Sequence, residues 1–489
     1  MKRRDFLKIS SSLSAYVIVG SSLLSIRQAE ADTGLPIAAL QAHLDPKKDM
    51  VLIPGSKAAA ARDVSYNKRT QLSPRVRVVA ASAASVGATI RWATSNGIGF
   101  AIRSGGHSFE GFSQSPDLVI NVRGMAGINL SADKKSVSIG SGSSLGSVYD
   151  KLSRNDLAIP AGSCFPVGVA GHSLGGGFGL LGRPFGLACD SILSMEMVDA
   201  SGKILNVSEQ ENPDLFWALR GGGNGSFGVV TNFNFRTSAV NMVVKFAITW
   251  TKPVAQGVKI VQGWQEWLED LPSSVTCTLH LTQGDGGLMT LHVAGLSVQS
   301  ESKLKVELNR LKTLAGPTQD VSTTTMTFDR AANKFNGSGP DTIFQKGKSD
   351  YLTEPMSAQG ILTLLSGLRK SPVPIAALCD SYGGAINKVP SDAMAFVHRG
   401  TTKYCIQYVK EWPSPSASVA NTNIAAMRTL YNSMRPFVSG GCYVNYCDLD
   451  LGDGYAKAYW GDNLPRLMKI KAEVDPKNIF KHAQSVPLS

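Results

Sequence analysis

The sequence predicts an α+β protein of two lobes, the second of which is an antiparallel sheet covered by helices on one face. The first observation is length, because 489 residues exceed what one hydrophobic core usually spans. The second is an alternation of short apolar strands with helical segments, up to about residue 237. The third is the pattern beyond that point, where strands are followed or interrupted by amphipathic helices.

The composition is that of a globular protein. Apolar residues make up 43% of the chain and charged residues 18%, which excludes a disordered chain and a membrane-embedded body. The formal net charge is +12, but the basic residues are scattered and form no long Lys/Arg run and no nucleic-acid-binding motif. We therefore expect no nucleic-acid partner.

The N-terminus reads as an export signal over residues 1–31. Arg3 and Arg4 precede a short, serine-rich apolar segment, and Ala29-Glu30-Ala31 provides an A-x-A-like cleavage site. The segment is too weakly apolar for a stable membrane span. The paired arginines resemble the bacterial twin-arginine signal, which predicts export by that machinery to the periplasm or the medium. An ordinary secretory signal or a basic tail is the alternative.

Seven cysteines in an exported protein are expected to form disulfides, with one thiol left over because the number is odd. Their spacing contains no Cys-x-x-Cys pair and no Cys/His cluster of the zinc-finger type. The sequence therefore predicts no metal site and leaves the disulfide pairing open.

The first lobe carries a histidine-bearing loop. Its predicted strands cover 76–80, 99–103, 118–122, 136–139, 158–160, 192–198 and 229–235, and its predicted helices cover 83–96 and 145–152. The loop after the second strand reads RSGGHSFEGF and places His107 between Gly106 and Ser108. A histidine between small residues at a strand end is exposed to whatever occupies the loop. A turn histidine bonded to the backbone is the alternative.

The stretch 162–182 is the richest in glycine, with eight glycines among its residues, and contains Cys164 and His172. Such a stretch is poor helix and poor strand, so we expect its backbone to bend sharply or to lie against something flat or phosphorylated. Matches to G-x-G-x-x-G start at Gly177 and Gly223. The first is followed by Arg183-Pro184 and the second by a β-branched strand, so both lack the context of a dinucleotide-binding Rossmann fold.

The second lobe and the C-terminus complete the predicted elements. Strands are expected over 245–250, 276–281, 289–296, 376–378 and 404–411, and amphipathic helices over 258–271, 301–314, 357–368 and 421–434. Residues 443–446, Tyr-Val-Asn-Tyr, are predicted as a four-residue strand with Tyr443 and Asn445 on one face and Val444 and Tyr446 on the other. Isolated tyrosines of this kind are ordinarily core residues.

Five motifs in order resemble one flavoprotein family. RSGGHSFEGF at 103–112, GSCFPVGVAGHSLGGGFG at 162–179, RGGGNGSFGVVT at 220–231, YVNYCDLDLG at 443–452 and YWGDNLPRLMKIKAEVDPKNIF at 459–480 together look like the berberine-bridge-enzyme-like branch of the vanillyl-alcohol-oxidase superfamily. The resemblance implies a PCMH-type FAD-binding domain over 32–240 and a substrate domain over 241–440. It further implies that 441–489 returns to the FAD-binding domain.

The resemblance also implies FAD held by two covalent bonds. By this match, His107 would join the flavin 8α-methyl carbon and Cys164 would join flavin C6, which would also account for the odd cysteine count. The remaining residues expected to contact the cofactor are Arg103, Ser104, Gly105, Gly106, Ser108, Gly162, Val167, Gly168, Gly171, His172, Gly176, Gly179, Gly228, Val229, Tyr459 and Asn463. The loop amides are expected to hold the pyrophosphate, and His172 is expected to be mainly a structural or cofactor-contacting residue.

Tyr446 matches the family's catalytic base, and Gln407 is a polar residue expected in the substrate pocket. A free phenol has a pKa of about 10, so a tyrosine base needs nearby positive charge or hydrogen bonds to its phenolate. Two positions depart from the plant pattern. Phe178 replaces a tyrosine that partners the base, and Cys405 replaces a lysine. Val167 is the small residue that the family associates with oxygen access.

These resemblances predict an oxidase that takes a hydride from an alcohol or hemiacetal carbon of a small molecule and passes electrons to molecular oxygen, which gives hydrogen peroxide. A sugar or oligosaccharide is the favoured substrate. An aryl alcohol or an intermediate of secondary metabolism is an alternative, and so is a dehydrogenase that uses another acceptor. The alternative that is not an enzyme is a sugar-binding protein that derives from a flavoprotein and has lost catalysis.

Overall fold

The computed structural model describes residues 29–54, 64–336 and 342–488. The predicted export signal falls on residues 1–31, of which 1–28 lie outside the described residues. Within the described ranges, no helix is both long enough and apolar enough to cross a bilayer.

The strands of the described residues are numbered in chain order. They are β1 Met50–Leu52, β2 Val76–Val79, β3 Phe100–Arg103, β4 Leu118–Asn121, β5 Ile128–Leu130, β6 Ser136–Gly140, β7 Leu157–Ala158, β8 Ile192–Val198, β9 Ile204–Ser208, β10 Val229–Arg236, β11 Ser238–Ala239, β12 Met242–Lys252, β13 Val275–Gln283, β14 Met289–Ser297, β15 Val321–Thr327, β16 Phe344–Leu352, β17 Ala376–Ser381 and β18 Tyr404–Trp412.

The α-helices are numbered in the same way. They are α1 Ile37–Gln41, α2 Ala83–Ser95, α3 Leu145–Ser153, α4 Val169–Leu174, α5 Gly182–Phe185, α6 Pro213–Leu219, α7 Val254–Glu269, α8 Glu301–Ala315, α9 Phe328–Phe335, α10 Ala358–Lys370, α11 Ala385–Lys388, α12 Ala417–Met434, α13 Tyr455–Trp460 and α14 Leu464–Val474.

Among the described residues, the first lobe contains two larger sheets and a two-stranded antiparallel pair of β7 and β11. One has the strand order β1-β2-β4-β3, with β2, β4 and β3 parallel to one another, and the other is antiparallel with the order β5-β6-β10-β8-β9. The strand β2, Val-Arg-Val-Val, is buried along its whole length, Arg77 included, as expected for a strand covered on both faces. The loop that carries His107 leaves the carboxyl end of β3, and the strand therefore fixes where this loop begins.

The second lobe is a seven-stranded antiparallel sheet with the order β15-β12-β14-β13-β17-β18-β16. Helices α7, α8, α10 and α12 cover one face, where Trp264 and Trp267 of α7 are fully buried among apolar side chains. On the opposite face, Thr278, Asp380 and Gln407 of three neighbouring strands point into a cavity. This sheet confirms the predicted α+β class with an antiparallel sheet covered on one face.

Several local predictions are wrong. The glycine-rich stretch contains a short helix, α4, although its composition indicated neither helix nor strand. The predicted strand over 443–446 is instead a 3₁₀-helix at Val444–Tyr446. The strands β1, β5, β9, β11, β15 and β16 were not predicted. Among them, β15 is a partly exposed edge strand with few apolar residues, and β16 carries two lysines that are fully buried. Charge within a strand usually indicates solvent exposure.

The cysteines do not pair as expected. All seven are free thiols in the structure, and all except Cys164 are buried. The prediction of disulfides with one thiol left over is therefore wrong. The odd number of cysteines therefore does not single out Cys164. Only its position makes Cys164 a candidate site residue.

Candidate active site

A cavity of about 530 Å³ opens between the two lobes. Most of the predicted site residues line it, namely Ser104, Gly105, Gly106, His107, Ser108, Gly162, Cys164, Val167, Gly168, Gly171, His172, Gly179, Gly228, Val229, Gln407, Tyr446 and Tyr459. The two predicted nucleophiles and the predicted base thus face one space, although they are far apart in the sequence.

Three predicted residues do not line the cavity. Arg103 is buried behind its loop and donates to Ser65 Oγ at 3.1 Å. Gly176 packs against the ring of Phe396. Asn463 uses its side-chain amide to bind backbone carbonyls, among them that of Ser391 at 2.7 Å. These residues support the walls of the site instead of contacting what the cavity holds.

The loops that carry His107 and Cys164 touch through glycine. A Cβ atom at Gly105 would lie 2.2 Å from the backbone nitrogen of Gly168, and a Cβ at Gly168 would collide with the same loop. Side chains at either position would therefore push the two loops apart. Ser104 Oγ also donates to the carbonyl of Ser141 at 2.7 Å, which holds the first loop against the five-stranded sheet.

His107 is set up as a neutral imidazole. Its ring stacks on Tyr66 with the centroids 4.6 Å apart. Burial, with the charges of Arg123 and Arg103, lowers the pKa of His107 to about 4. The imidazole is therefore uncharged at neutral pH and keeps a lone pair that can act as a nucleophile.

Cys164 is half-buried at the same cavity wall. Burial raises the pKa of its thiol, as does the nearby carboxylate of Glu411, so that the thiol is protonated at neutral pH. The reactivity of Cys164 thus has to come from a bound group that it faces and not from a preformed thiolate.

The cavity offers hydrogen-bonding groups that the described protein leaves unused. None of the backbone N–H groups of Gly105, Gly106, His107 and Ser108 donates to a described residue. Asn224 Oδ1 is buried at the cavity wall and accepts from no described residue. Amides left free in a loop are typical of a site for an anionic group. The free N–H donors therefore fit the pyrophosphate of FAD. Asn224 Oδ1 is left as an acceptor for a polar hydrogen of the cofactor.

Tyr446 meets a carboxylate and not a cation. Its Oη donates to Asp380 Oδ2 at 3.5 Å, and Thr278 Oγ1 donates to the other carboxylate oxygen at 2.8 Å. Burial raises the pKa of Asp380 to about 7. Burial and Asp380 together raise the pKa of Tyr446 well above its ordinary value. Of the two aids that a tyrosine base can use, positive charge or hydrogen bonds to its phenolate, the described residues place no cation beside Tyr446.

Asp380 is the main residue of the candidate site that sequence reasoning missed. It lies in β17 within the run Ala-Ala-Leu-Cys-Asp-Ser, which is otherwise apolar or small. A carboxylate in an apolar strand is costly to bury unless it has partners, so it was a usable signal. Glu411 was missed as well, and it accepts from Tyr66 Oη at 3.2 Å at the rim of the cavity.

The two departures from the plant pattern lie at or near the candidate site. Cys405 is directly opposite Asp380 in the β17–β18 register, and its pKa is raised well above the ordinary value by burial, so it is a neutral thiol. Phe178 lines the cavity and stacks on Tyr382 with a centroid distance of 5.4 Å. Gln407, in contrast, makes no side-chain hydrogen bond to a described residue while facing the cavity, so its amide is available for a ligand.

His172 and Tyr443 hold the glycine-rich backbone. His172 Nε2 accepts from the N–H of Gly162 at 2.9 Å, and burial lowers its pKa to about 4, so it is a neutral acceptor. Tyr443 Oη accepts from the N–H groups of Gly177 and Phe178 at 2.9 and 3.2 Å. Both side chains fix backbone that lines the cavity, which agrees with a mainly structural role for His172.

Among the described residues, no group of three or more His, Cys, Asp or Glu side chains is arranged to hold a metal ion.

Two family models match the chain. The one described as the FAD binding domain matches residues 74–208, and the one described as berberine and berberine like matches residues 442–487. The first range contains the loops with His107 and Cys164, and the second contains Tyr446. His107, Cys164 and Tyr446 therefore lie in matched segments, whereas Asp380 and Gln407 lie between them.

Known proteins match most of the chain. An uncharacterised FAD-linked oxidoreductase of Bacillus subtilis (strain 168), YgaK, is 33% identical over 408 residues, which cover 81% of this chain and 88% of that protein. The solved structure of wild-type BBE-like 1 from Physcomitrella patens has a TM-score of 0.84 at 28% identity, and the match covers 93% of this chain and 99% of that one. A solved chitooligosaccharide oxidase also has a TM-score of 0.84, at 25% identity, with coverages of 92% and 99%.

Proposed function

Because the chain belongs to the berberine bridge enzyme-like family of FAD-linked oxidoreductases, we propose that it is an oxidase of alcohol or hemiacetal carbons with a sugar or oligosaccharide as its favoured substrate. Electrons would pass from the substrate to molecular oxygen and give hydrogen peroxide. The observation that carries this proposal is the Tyr446–Asp380 pair, which faces the same cavity as His107 and Cys164.

FAD supplies a hydride acceptor when it is bound. We assign His107 and Cys164 as the two points of covalent attachment, because each is a nucleophile on a loop that reaches the cavity. The free amides of 105–108 would hold the pyrophosphate. A ring fixed by two bonds is held in one orientation toward the substrate, which favours reaction from a single geometry.

Tyr446 and Asp380 would act as a proton relay. Tyr446 Oη accepts the hydroxyl proton of the substrate while it passes its own phenolic proton to Asp380 Oδ2. The substrate loses a hydride from the carbon that bears this hydroxyl group. An alcohol thereby becomes a carbonyl compound, and a cyclic hemiacetal becomes a lactone. Because Asp380 takes the proton, a free phenolate never has to form beside a carboxylate. The raised pKa of Asp380, about 7, suits a group that must both take and release a proton near neutral pH.

Gln407 would orient the substrate. Its unused amide has both donors and an acceptor, which matches a hydroxyl group and its neighbour on a sugar ring. The aromatic rings of Tyr66 and Phe178 line the same cavity. The similarity to a chitooligosaccharide oxidase supports a carbohydrate as the first choice. An aryl alcohol or an intermediate of secondary metabolism would also fit these aromatic walls.

Val167 supports oxygen as the acceptor, because it places a small side chain at the cavity wall beside Cys164. A dehydrogenase that uses another acceptor is the second candidate.

We further propose that the twin-arginine machinery exports the folded protein to the periplasm or the medium. Replacement of Arg3 and Arg4 by lysine should trap the protein in the cytoplasm, and unchanged export would exclude that route.

The proposal is tested by peroxide release across a panel of mono- and oligosaccharides and aryl alcohols. Release from sugars supports the oxidase as stated, and release from aryl alcohols alone moves the substrate to the alternative. Anaerobic reduction of dyes with little peroxide in air would make the protein a dehydrogenase. Sugar binding without any bleaching of the flavin would instead indicate a binding protein that has lost catalysis.

A further inference from the structure

A buried cluster of charges lies outside the cavity and has no part in the relay. Lys346 Nζ is 2.6 Å from Glu110 Oε1 and 2.5 Å from Asp448 Oδ1. Lys348 Nζ is 2.6 Å from Asp448 Oδ2 and 2.7 Å from Asp450 Oδ2. Both lysines belong to β16, where positions two apart share a face. Two ammonium groups are thus placed side by side against three carboxylates.

These charges are removed from water. The side chains of Lys346 and Lys348 are 3% and 1% exposed, and those of Glu110 and Asp448 are 1% and 3% exposed. Burial by itself lowers the pKa of Lys346, but Asp448 and Glu110 outweigh it and hold the pKa above its ordinary value. Lys346 therefore stays charged, and its partners depend on it, because a buried charge is stable only when it is paired.

Each carboxylate belongs to a segment that carries a proposed site residue. Glu110 follows His107 by three residues, and Asp448 follows Tyr446 by two. One ammonium, Lys346 Nζ, therefore ties the loop of the first lobe to the C-terminal segment, while its own strand belongs to the second lobe. The other partners of Glu110 and Asp450 are Arg69 at 2.6 Å and Arg428 at 2.6 Å, which are closer to the surface.

The same strand also sets the ring of the proposed base. Phe109 stacks on Tyr446 with a centroid distance of 5.7 Å and an interplanar angle of 9°. A Cβ atom at Gly347, between the two lysines, would lie 2.7 Å from Phe109 Cδ2, so glycine is what lets the ring approach the strand. The position of Tyr446 thus depends on a loop that the Lys346 ammonium holds in place.

We propose that Lys346 is a positioning residue, whose ammonium clamps the loop of His107 to the segment of Tyr446 and so fixes the proposed base relative to the proposed flavin attachment. This inference rests on the proposed roles of these two residues. The clamp itself is a property of the chain and can be measured without any substrate.

The clamp makes a prediction that ordinary packing does not. Replacement of Lys346 by methionine leaves Glu110 and Asp448 facing each other without their shared cation, so the two segments repel. Replacement of Glu110 by glutamine leaves the ammonium with Asp448 and is milder. Lys346→Met combined with Glu110→Gln removes the repulsion as well and should recover part of what Lys346→Met loses. Loss of packing alone would give additive effects.

The test compares these variants with Lys410→Met as the matched control. Lys410 is directly opposite Lys346 in the β16–β18 register, is half-buried and forms no ion pair with a described residue. The first readout is hydrogen–deuterium exchange of the purified protein in the segments 104–112 and 443–450. The second is the anaerobic rate of flavin reduction by a substrate from the panel.

For Lys346→Met we expect faster exchange in both segments, no change in the helices α7 and α10, and a flavin-reduction rate lower by about 10- to 100-fold, the scale for a misplaced reacting group. The double variant should regain about tenfold of that loss, and Lys410→Met should match the native protein. Equal behaviour of Lys346→Met and Lys410→Met would overturn the proposal, as would a double variant worse than Lys346→Met.

The two proposals fail in different ways. If no substrate of the panel reduces the flavin of the native protein, the proposed function fails. The exchange measurements still decide the clamp in that case. If Lys346→Met does not fold, the folded double variant with slowed reduction and faster exchange in the two segments supports the clamp. A double variant with native exchange in both segments would overturn it.

Discussion

The two walls of the cavity differ in what they offer. The first lobe offers mainly backbone, with glycine loops in close contact, free amides and the two nucleophiles His107 and Cys164. The second lobe offers side chains from the open face of a sheet, among them Asp380 and Gln407. Backbone amides suit a constant group such as a pyrophosphate, whereas side chains suit a substrate and its protons. Changes on the two walls should therefore separate retention of the flavin from the rate of its reduction.

The largest effect is expected for Tyr446→Phe. The change removes the hydroxyl that takes the substrate proton but keeps the ring against Phe109, so the flavin should remain bound while its reduction slows by about 10²- to 10⁴-fold. Anaerobic stopped-flow absorbance with an active substrate measures this rate. Tyr455→Phe is the control, because that tyrosine lies outside the cavity and bonds the carbonyl of Ser485. An undiminished rate would remove Tyr446 from the relay.

The sequence predicted the first wall well, because its signals are local. Glycines around one histidine and one cysteine indicate close backbone approach, and the strands that lead into them are apolar and regular. The second lobe was predicted less completely, because Gln407 was expected in the pocket but Asp380 and the buried Lys346 were missed. Asp380 and Lys346 are charged residues in buried strands, and only pairings across the sheet or between lobes make their burial tolerable. Such pairings involve residues far apart in sequence, so no local pattern announces them.

The short segment with Tyr446, the proposed base, shows the same limit. The alternation in Tyr-Val-Asn-Tyr predicted a strand, but the segment forms a 3₁₀-helix because its partners are not a neighbouring strand. Tyr443 Oη binds the amides of the glycine-rich turn, and Tyr446 Oη binds Asp380. Tertiary hydrogen bonds therefore overrode the strand propensity of the four residues.

A smaller effect is expected for Asp380→Asn, which tests the relay through its dependence on pH. The native rate of flavin reduction should rise with pH around the pKa of Asp380, about 7, because only the carboxylate can accept the proton. The amide cannot accept it, so the variant should be slower by about 10- to 100-fold and independent of pH in this range. A native rate that is flat between pH 5 and about 9 would exclude Asp380 as the acceptor.

The stability of Asp380→Asn relative to the native protein should rise with pH, whereas its relative rate of flavin reduction should fall. The folded protein raises the pKa of Asp380 above its unfolded value, so this group stabilises the protonated folded state at low pH, and that contribution is lost as the pH rises through about 7. The variant has no such loss. Its melting temperature relative to the native protein should therefore be higher at pH 8 than at pH 5. The reverse trend would mean that the buried carboxylate is better stabilised than its surroundings indicate.

The smallest effect on rate is expected on the first wall, for Cys164→Ala. If His107 and Cys164 both hold the flavin, the variant keeps a yellow pellet after acid precipitation through His107, while its absorption spectrum and reduction potential change. Its rate of flavin reduction should fall only by about tenfold or less, because the relay on the opposite wall is intact. Cys447→Ala is the control, since that buried thiol also lines the cavity but approaches Ser108 Oγ at 3.7 Å. A colourless native pellet with free FAD in the supernatant would contradict both attachments, and a Cys164→Ala spectrum identical to the native one would contradict the thiol alone.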